Sequence, residues 1–206
     1  MVRRFIVTKL KELDKFYENY VGIDEAGLGN VSGSLIFVGA KIKSDKSIED
    51  ISFANDSKSM SKKKREKLYD EVIKVVDYQV VEIFPKYIDE NGKEEACRTA
   101  LEKILNHFKG LKFIYDGNNA HGVQGLEMLV KADAKVSIVA AASIIAKVEK
   151  DKRMKEWDEK YPEYDWKNNA GYATKKHIEA IRKHGFNEQH RMTFKIKELE
   201  KDGFYE

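Results

Sequence analysis

Between Val136 and about Trp157 the chain carries a long run of helical character whose middle is small side chains: Ala140, Ala141, Ala142, Ser143 and Ala146. Such a helix can lie closer to a sheet than one studded with leucines, so the run asks for a sheet to pack on. Short β-branched or aromatic stretches bounded by turn residues supply one: Tyr20-Val-Gly-Ile, Leu35-Ile-Phe-Val-Gly-Ala, Tyr78-Gln-Val-Val-Glu-Ile-Phe ending at Pro85, Leu111-Lys-Phe-Ile-Tyr, and Gly125-Leu-Glu-Met-Leu-Val. Leu68, Val72, Val75 and Val76 recur at helical spacing, predicting a helix over 61–76 with Ser61 as its N-cap. Ala96, Ala100, Ile104 and Leu105 predict another over 93–109, closed by Gly110. The last third shows no strand pattern and supplies helices near Thr174 to Lys183 and Thr193 to Lys201. The fold class is α/β, with the strands first and a helical C-terminal extension.

At 206 residues the chain suits one domain with a substantial core, and no Pro/Gly/Ser-rich linker marks a boundary. A single unit over 1–206 is expected, with a core at about 18–160 and the extension at about 161–206. No apolar run approaches the roughly 18 to 20 residues of a membrane span. The start has basic residues but no apolar stretch like that of a signal peptide, so a cytoplasmic location is expected. Cys97 is the one cysteine, which excludes a disulfide or cysteine-based zinc site within one chain. It reads as a small hydrophobe on a helix. The net charge of +3 is too weak a bias to argue for nucleic acid by itself.

The chemistry lies in carboxylates at the ends of elements. Asp24 and Glu25 sit at the end of the first strand, Asp116 at the end of another, and Asp133 stands just before the small-residue helix, whose dipole favours an anion there. Each alone reads more readily as a solvated acid, a cap or a turn residue, because the chain holds 35 acids. Together, delivered by apolar segments, they would repel one another unless a cation intervened. Several acidic oxygens with no histidine ligand spacing suit Mg²⁺ or Mn²⁺ better than zinc. Two such ions about 3.5 to 4 Å apart support phosphodiester hydrolysis. The chain lacks a Walker phosphate loop, a His-Glu-x-x-His, a Gly-x-Ser-x-Gly and a complete dinucleotide fingerprint.

Five blocks in order then carry a resemblance: Gly22-Ile-Asp-Glu-Ala-Gly-Leu-Gly29, Asn55-Asp-Ser-Lys58 through Arg65, Tyr115-Asp-Gly117, Lys131-Ala-Asp133 through Lys147, and Gly171-Tyr-Ala-Thr-Lys-Lys-His177. They resemble ribonuclease HII, and Gly185 through Phe194 resembles the end of its bacterial form. The resemblance implies a ribonuclease H-like mixed sheet flanked by helices and cleavage of the RNA strand of RNA–DNA hybrids. It implies incision at ribonucleotides embedded in DNA as well, leaving 5′-phosphate and 3′-hydroxyl ends. Asp24, Glu25, Asp116 and Asp133 fall on the family's catalytic, metal-binding acids, with Asp24 bridging two ions. Gly27, Leu28 and Gly29 fall on the loop that meets the ribose 2′-hydroxyl, Tyr172 on the aromatic that stacks on the neighbouring deoxyribose, and Lys58 and Lys147 on groups facing the nucleic-acid backbone. A monomer is expected.

The departures also carry expectations. The family's usual Gly-Arg-Gly is Gly27-Leu28-Gly29 here, and Asn30 and Ser34 stand where prolines are usual. The missing arginine predicts a weaker preference for a lone ribonucleotide, and Arg153 and Arg191 are the candidates to compensate. The missing prolines predict a looser turn and a slower or more metal-selective enzyme. His177 and His190 read as structural. The rival readings are a catalytically weak or silent hybrid-binding protein of the same fold, another metal-dependent nuclease of the superfamily, and, more distantly, a small-molecule phosphatase.

Overall fold

The computed structural model describes residues 12–51 and 61–205. Lys58 and the part of its block from Asn55 to Met60 lie outside the described residues. A five-stranded sheet runs in the order β3-β2-β1-β4-β5, with β1 Tyr20–Ala26, β2 Leu35–Ile42, β3 Val76–Ile83, β4 Lys112–Tyr115 and β5 Leu126–Met128. β1, β2 and β3 form an antiparallel meander, and β4 and β5 join parallel to β1, so the sheet is mixed. Parallel addition needs a crossover. Helix α3, Pro85–His107, provides the one that leads into β4.

Strand alternation sorts the side chains into two layers. Tyr20, Ile36, Val38 and Ile114 point to the face covered by α4, Ser137–Lys160. Val21, Ile23, Phe37 and Phe113 point to the face covered by α3. The small-residue helix packs as its sequence asks. A Cβ at Gly22 would lie 2.6 Å from the Ile138 carbonyl carbon, so α4 rests directly on the β1 backbone there. Helix α2, Lys62–Val75, packs on α4, and Ser61 caps it by accepting from the Lys64 N–H. At the other end of α4, Met154 joins Tyr164, Trp166, Ile178, Ile181 and Leu199 in a third cluster. That cluster holds the short helices α5 Trp166–Asn169, α6 Lys175–His184 and α7 Lys197–Lys201.

Two boundaries differ from expectation for physical reasons. Helix α3 begins at Pro85, whose fixed φ suits a first helical position, and it continues past a break at Gly92, which has φ +82°. The N-terminus of α4 is not left to Asp133. Asp14, in a helical turn over 12–17 (α1), accepts from the Ser137 N–H at 2.6 Å and from the Ser137 hydroxyl at 2.8 Å. Cys97 is fully buried on α3, as expected of a small hydrophobe.

Candidate active site

β1 carries Asp24 and Glu25 on consecutive positions, so alternation sends them to opposite faces. Asp24 shares the α4 side with Gly22. Glu25 shares the α3 side with Ile23 and accepts from the Tyr115 hydroxyl at 2.8 Å. Across the parallel ladder, Asp116 donates its N–H to the Ile23 carbonyl at 3.0 Å and stands beside Asp24 just past the end of β4. The Asp116 carboxylate accepts from the N–H groups of Ala132 at 3.1 Å and Asp133 at 3.3 Å, which docks the turn Ala132–Ala134 against it. One carboxylate oxygen from each of Asp24, Asp116 and Asp133 then lies within 4.8 Å of the others. Three of the four sequence-selected acids therefore converge, and the fourth borders them from the other face.

Crowding buried carboxylates makes ionisation costly. Burial, and then repulsion from Glu25, pushes the Asp24 carboxyl up to about 8. Burial is also the largest cause raising Glu25, opposed by the Tyr115 hydrogen bond, and the largest cause raising Asp116. A divalent cation would reverse this cost. Hard oxygen donors at this spacing fit such an ion, so the donor set passes on its own chemistry. Lys147 donates to the Ser143 hydroxyl at 2.5 Å, and both Ser143 and Lys147 favour the ionised form of Asp24. Lys147, expected along the nucleic-acid backbone, thus also touches the acid cluster through Ser143.

A cleft of about 420 Å³ opens beside the acids, lined by Glu25, Gly27, Leu28, Gly29, Lys147 and Tyr172 among others. Tyr172 is 55% exposed, with its ring available for stacking. Leu28 packs against the α3-side core, which explains an apolar residue at the tip of the loop. Neither arginine takes its place in the cleft: Arg153 pairs with Glu82 at 3.0 Å, and the Arg191 head is buried beneath the loop. The expected looseness of the turn is corrected by its contacts. The Asn30 side chain donates to the Ala170 carbonyl, and Val31 and Ser32 donate their N–H groups to Gly171. The Asn30 N–H reaches the Gly27 carbonyl at 3.3 Å, a bond proline could not make.

Sequence reasoning missed the second carboxylate layer. Tyr115 holds Glu25, and His121 Nδ1 lies 2.6 Å from Glu94 in an adjoining cavity of about 260 Å³ that Glu25 and Asp116 also line. His121 has no helical or strand periodicity to betray it. His177 and His190 are buried side by side, with Nε2 atoms 3.2 Å apart and the Trp166 indole donating to His177. His177 Nδ1 donates to the Tyr172 carbonyl at 2.8 Å, so the pair supports the Tyr172 backbone from within the core.

Comparison with known proteins places the chain in a family. The family profile of ribonuclease HII matches residues 21–197. The chain belongs to the ribonuclease HII family. The ribonuclease HII of Aliarcobacter butzleri is 44% identical over 184 residues, covering 88% of this chain and 93% of that protein. That of a Sulfurovum species is 41% identical over 87% of this chain and 93% of its own length. Among solved structures, ribonuclease H2 from Pyrococcus horikoshii superposes with a TM-score of 0.71 at 30% identity, covering 90% of this chain and 98% of that one. Ribonuclease HII from Archaeoglobus fulgidus, solved in complex with PCNA, superposes with a TM-score of 0.74 at 26% identity, covering 86% and 95%. The sheet and its flanking helices are thus a ribonuclease H fold, and ribonuclease HII enzymes are endoribonucleases acting on RNA–DNA hybrids.

Proposed function

We propose that Asp24, Glu25, Asp116 and Asp133 are the acids with which this ribonuclease HII hydrolyses the RNA strand of RNA–DNA hybrids, holding two Mg²⁺ or Mn²⁺ ions. The observation that carries the assignment is the convergence of Asp24, Asp116 and Asp133 within 4.8 Å, where β1, the end of β4 and the Ala132–Ala134 turn meet. When bound, the ions supply Lewis-acid activation of the attacking water and neutralise charge at the departing 3′ oxygen. The chain does the rest. Ser143 and Lys147 orient Asp24, Tyr115 orients Glu25, and the N–H groups of the Ala132–Ala134 turn hold Asp116. Gly27, Leu28 and Gly29 present main chain to the ribose 2′-hydroxyl, the group that separates RNA from DNA. Tyr172 stacks on the sugar next to the cut, while Lys58, Lys147 and the basic start of α2 follow the phosphates. We read the protein as a cytoplasmic monomer whose core at about 18–160 and extension at about 161–206 form one unit. Among the described residues no helix is long and apolar enough to cross a membrane.

Three end-labelled duplexes, a full hybrid, DNA with one ribonucleotide and pure DNA, test this reading with Mg²⁺, Mn²⁺ or chelator. Metal-dependent cutting of the hybrid, lost in Asp24→Asn, is expected, with pure DNA untouched. Binding without cutting by the wild type would point to the silent rival. Leu28 leaves the loop without a charged donor, so the single-ribonucleotide duplex should be cut less efficiently than the hybrid; equal efficiency would contradict that.

A further inference from the structure

Beneath the glycine loop lie two cations that the active-site acids do not explain. Arg191 is 2% exposed and Lys150 is 4% exposed. Neither head has a carboxylate oxygen within 4.0 Å among the described residues. Both are instead spent on carbonyls of one loop. Arg191 Nη1 donates to the Gly27 carbonyl at 2.8 Å, and its Nε and Nη2 both donate to the Gly33 carbonyl, at 3.0 and 2.8 Å. Lys150 Nζ donates to the Ser34 carbonyl at 2.8 Å and lies 3.4 Å from the Ser32 carbonyl. Burying two like charges side by side is expensive. The cost shows in Lys150, whose ammonium is pushed well below its ordinary pKa by burial and then by Arg191.

The loop is shaped to receive these heads. Gly27 and Gly33 have φ of +95° and +78°, and a Cβ at Gly33 would come within 2.7 Å of Lys150 Nζ, while one at Gly27 would come within 3.1 Å of Lys150 Cε. A trans peptide points its N–H opposite to its C=O, and the described chain has no cis bond. Pulling the Gly27 carbonyl down onto Arg191 therefore turns the Leu28 N–H away from Arg191. The N–H groups of Leu28 and Gly29 have no acceptor among the described residues, and both residues line the cleft beside the acids.

We propose that Arg191 and Lys150 are positioning residues for ribose recognition: by holding the loop's carbonyls from below they aim its free N–H groups at the sugar of the RNA strand. The proposal rests on the reading of this loop as the ribose-facing element. It gives the closing Gly185–Phe194 segment a role in substrate choice, although its arginine touches no substrate. That segment is itself anchored by Asp89 of α3, which accepts from the N–H groups of Met192 and Thr193 at 2.8 and 2.9 Å. Arg191 also lies over the Phe194 ring, 5.1 Å from its centroid.

The test compares Kd for a hybrid and for the same-sequence DNA duplex in a cleavage-silent Asp24→Asn background, with Arg191→Lys and Lys150→Met added singly. Arg191→Lys keeps the charge but loses the fork that spans two carbonyls, and Lys150→Met keeps the stem but loses the donor. A general loss of folding or of phosphate attraction weakens both duplexes alike. Loss of aimed N–H groups lowers the DNA-to-hybrid Kd ratio, by roughly fivefold or more for two such bonds. Folded variants with an unchanged ratio overturn the proposal. Amide exchange in the parent protein covers the case of variants that do not fold: Leu28 and Gly29 N–H should be protected by hybrid and not by DNA, and equal protection overturns it. A parent ratio near one would defeat the ribose-facing reading itself, and the positioning proposal with it.

Discussion

Replacing Asp24 with Asn should abolish catalysis and stabilise the metal-free protein. In the fold, burial and Glu25 push the Asp24 carboxyl up to about 8 from an ordinary 3.8. The folded acid therefore keeps its proton at pH values where the unfolded one has lost it. Each pH unit between those two values favours the unfolded state by about 1.4 kcal/mol, so stability falls as pH rises through this window and levels off above it. At pH 7 the upper limit is about 4 kcal/mol, and relaxation with water entry reduces a realistic gain on replacement by Asn to about 2 kcal/mol. For a chain of this size that is a rise in Tm of roughly 4 to 8 °C. The assay is thermal unfolding in chelator from pH 5 to 8.5, with and without Mn²⁺. The gap between Asp24→Asn and wild type should widen with pH, and added Mn²⁺ should raise Tm for the wild type alone. A variant no more stable than wild type at pH 8 in chelator would refute the claim that crowded, buried carboxylates strain this site.

Three further outcomes follow from the packing. Gly22→Ala places a methyl 2.6 Å from the α4 backbone and should cost about 1 to 3 kcal/mol, measured by urea unfolding; a neutral result would mean α4 does not rest on β1 there. His190 is held down to about 3 and His177 below its usual value, in both cases mainly by burial, so both stay neutral in the fold. Their contribution is fully present above about pH 6.5 and is lost as pH falls toward 3, by about 1.4 kcal/mol per unit for His190; His190→Gln should flatten the acid limb of a Tm-against-pH curve. Tyr172→Ala removes an exposed ring and should raise KM for hybrid by roughly tenfold while shifting Tm by under about 1 °C, as one base- or sugar-stacking contact is worth about 1 to 3 kcal/mol.

Much of this was legible from the order of residues. The strand pattern and the alanine-rich helix predicted the sheet and a helix lying close against it, while the extension of β1 through Asp24 and Glu25, which sends them to opposite faces, came from the structure. Ser61 capped as its position required. What stayed hidden depends on partners far apart in sequence. Asp14 looks like one more charge in a charged leader, yet it caps a helix 123 residues away. Pro85 reads as the stop of a strand, and only packing reveals that it also starts a helix interrupted at Gly92. The sequence offered Arg191 only as a stand-in for the missing loop arginine and did not single out Lys150; the fold brings the loop carbonyls to both. The asparagine and serine that replace prolines suggested a loose turn, because hydrogen bonds to Ala170, Gly171 and Gln189 leave no local mark in the sequence.

The central claim is that the acids gathered by β1, β4 and the Ala132–Ala134 turn form the metal-dependent centre that cuts RNA. Single-turnover cleavage of a 5′-labelled hybrid in Mn²⁺ tests it most directly, comparing wild type with Asp24→Asn, Asp116→Asn and Asp133→Asn. The account predicts cutting by the wild type that chelator abolishes, and a loss of at least about a hundredfold in each folded variant. Cutting that survives in all three variants, or in chelator, would contradict it.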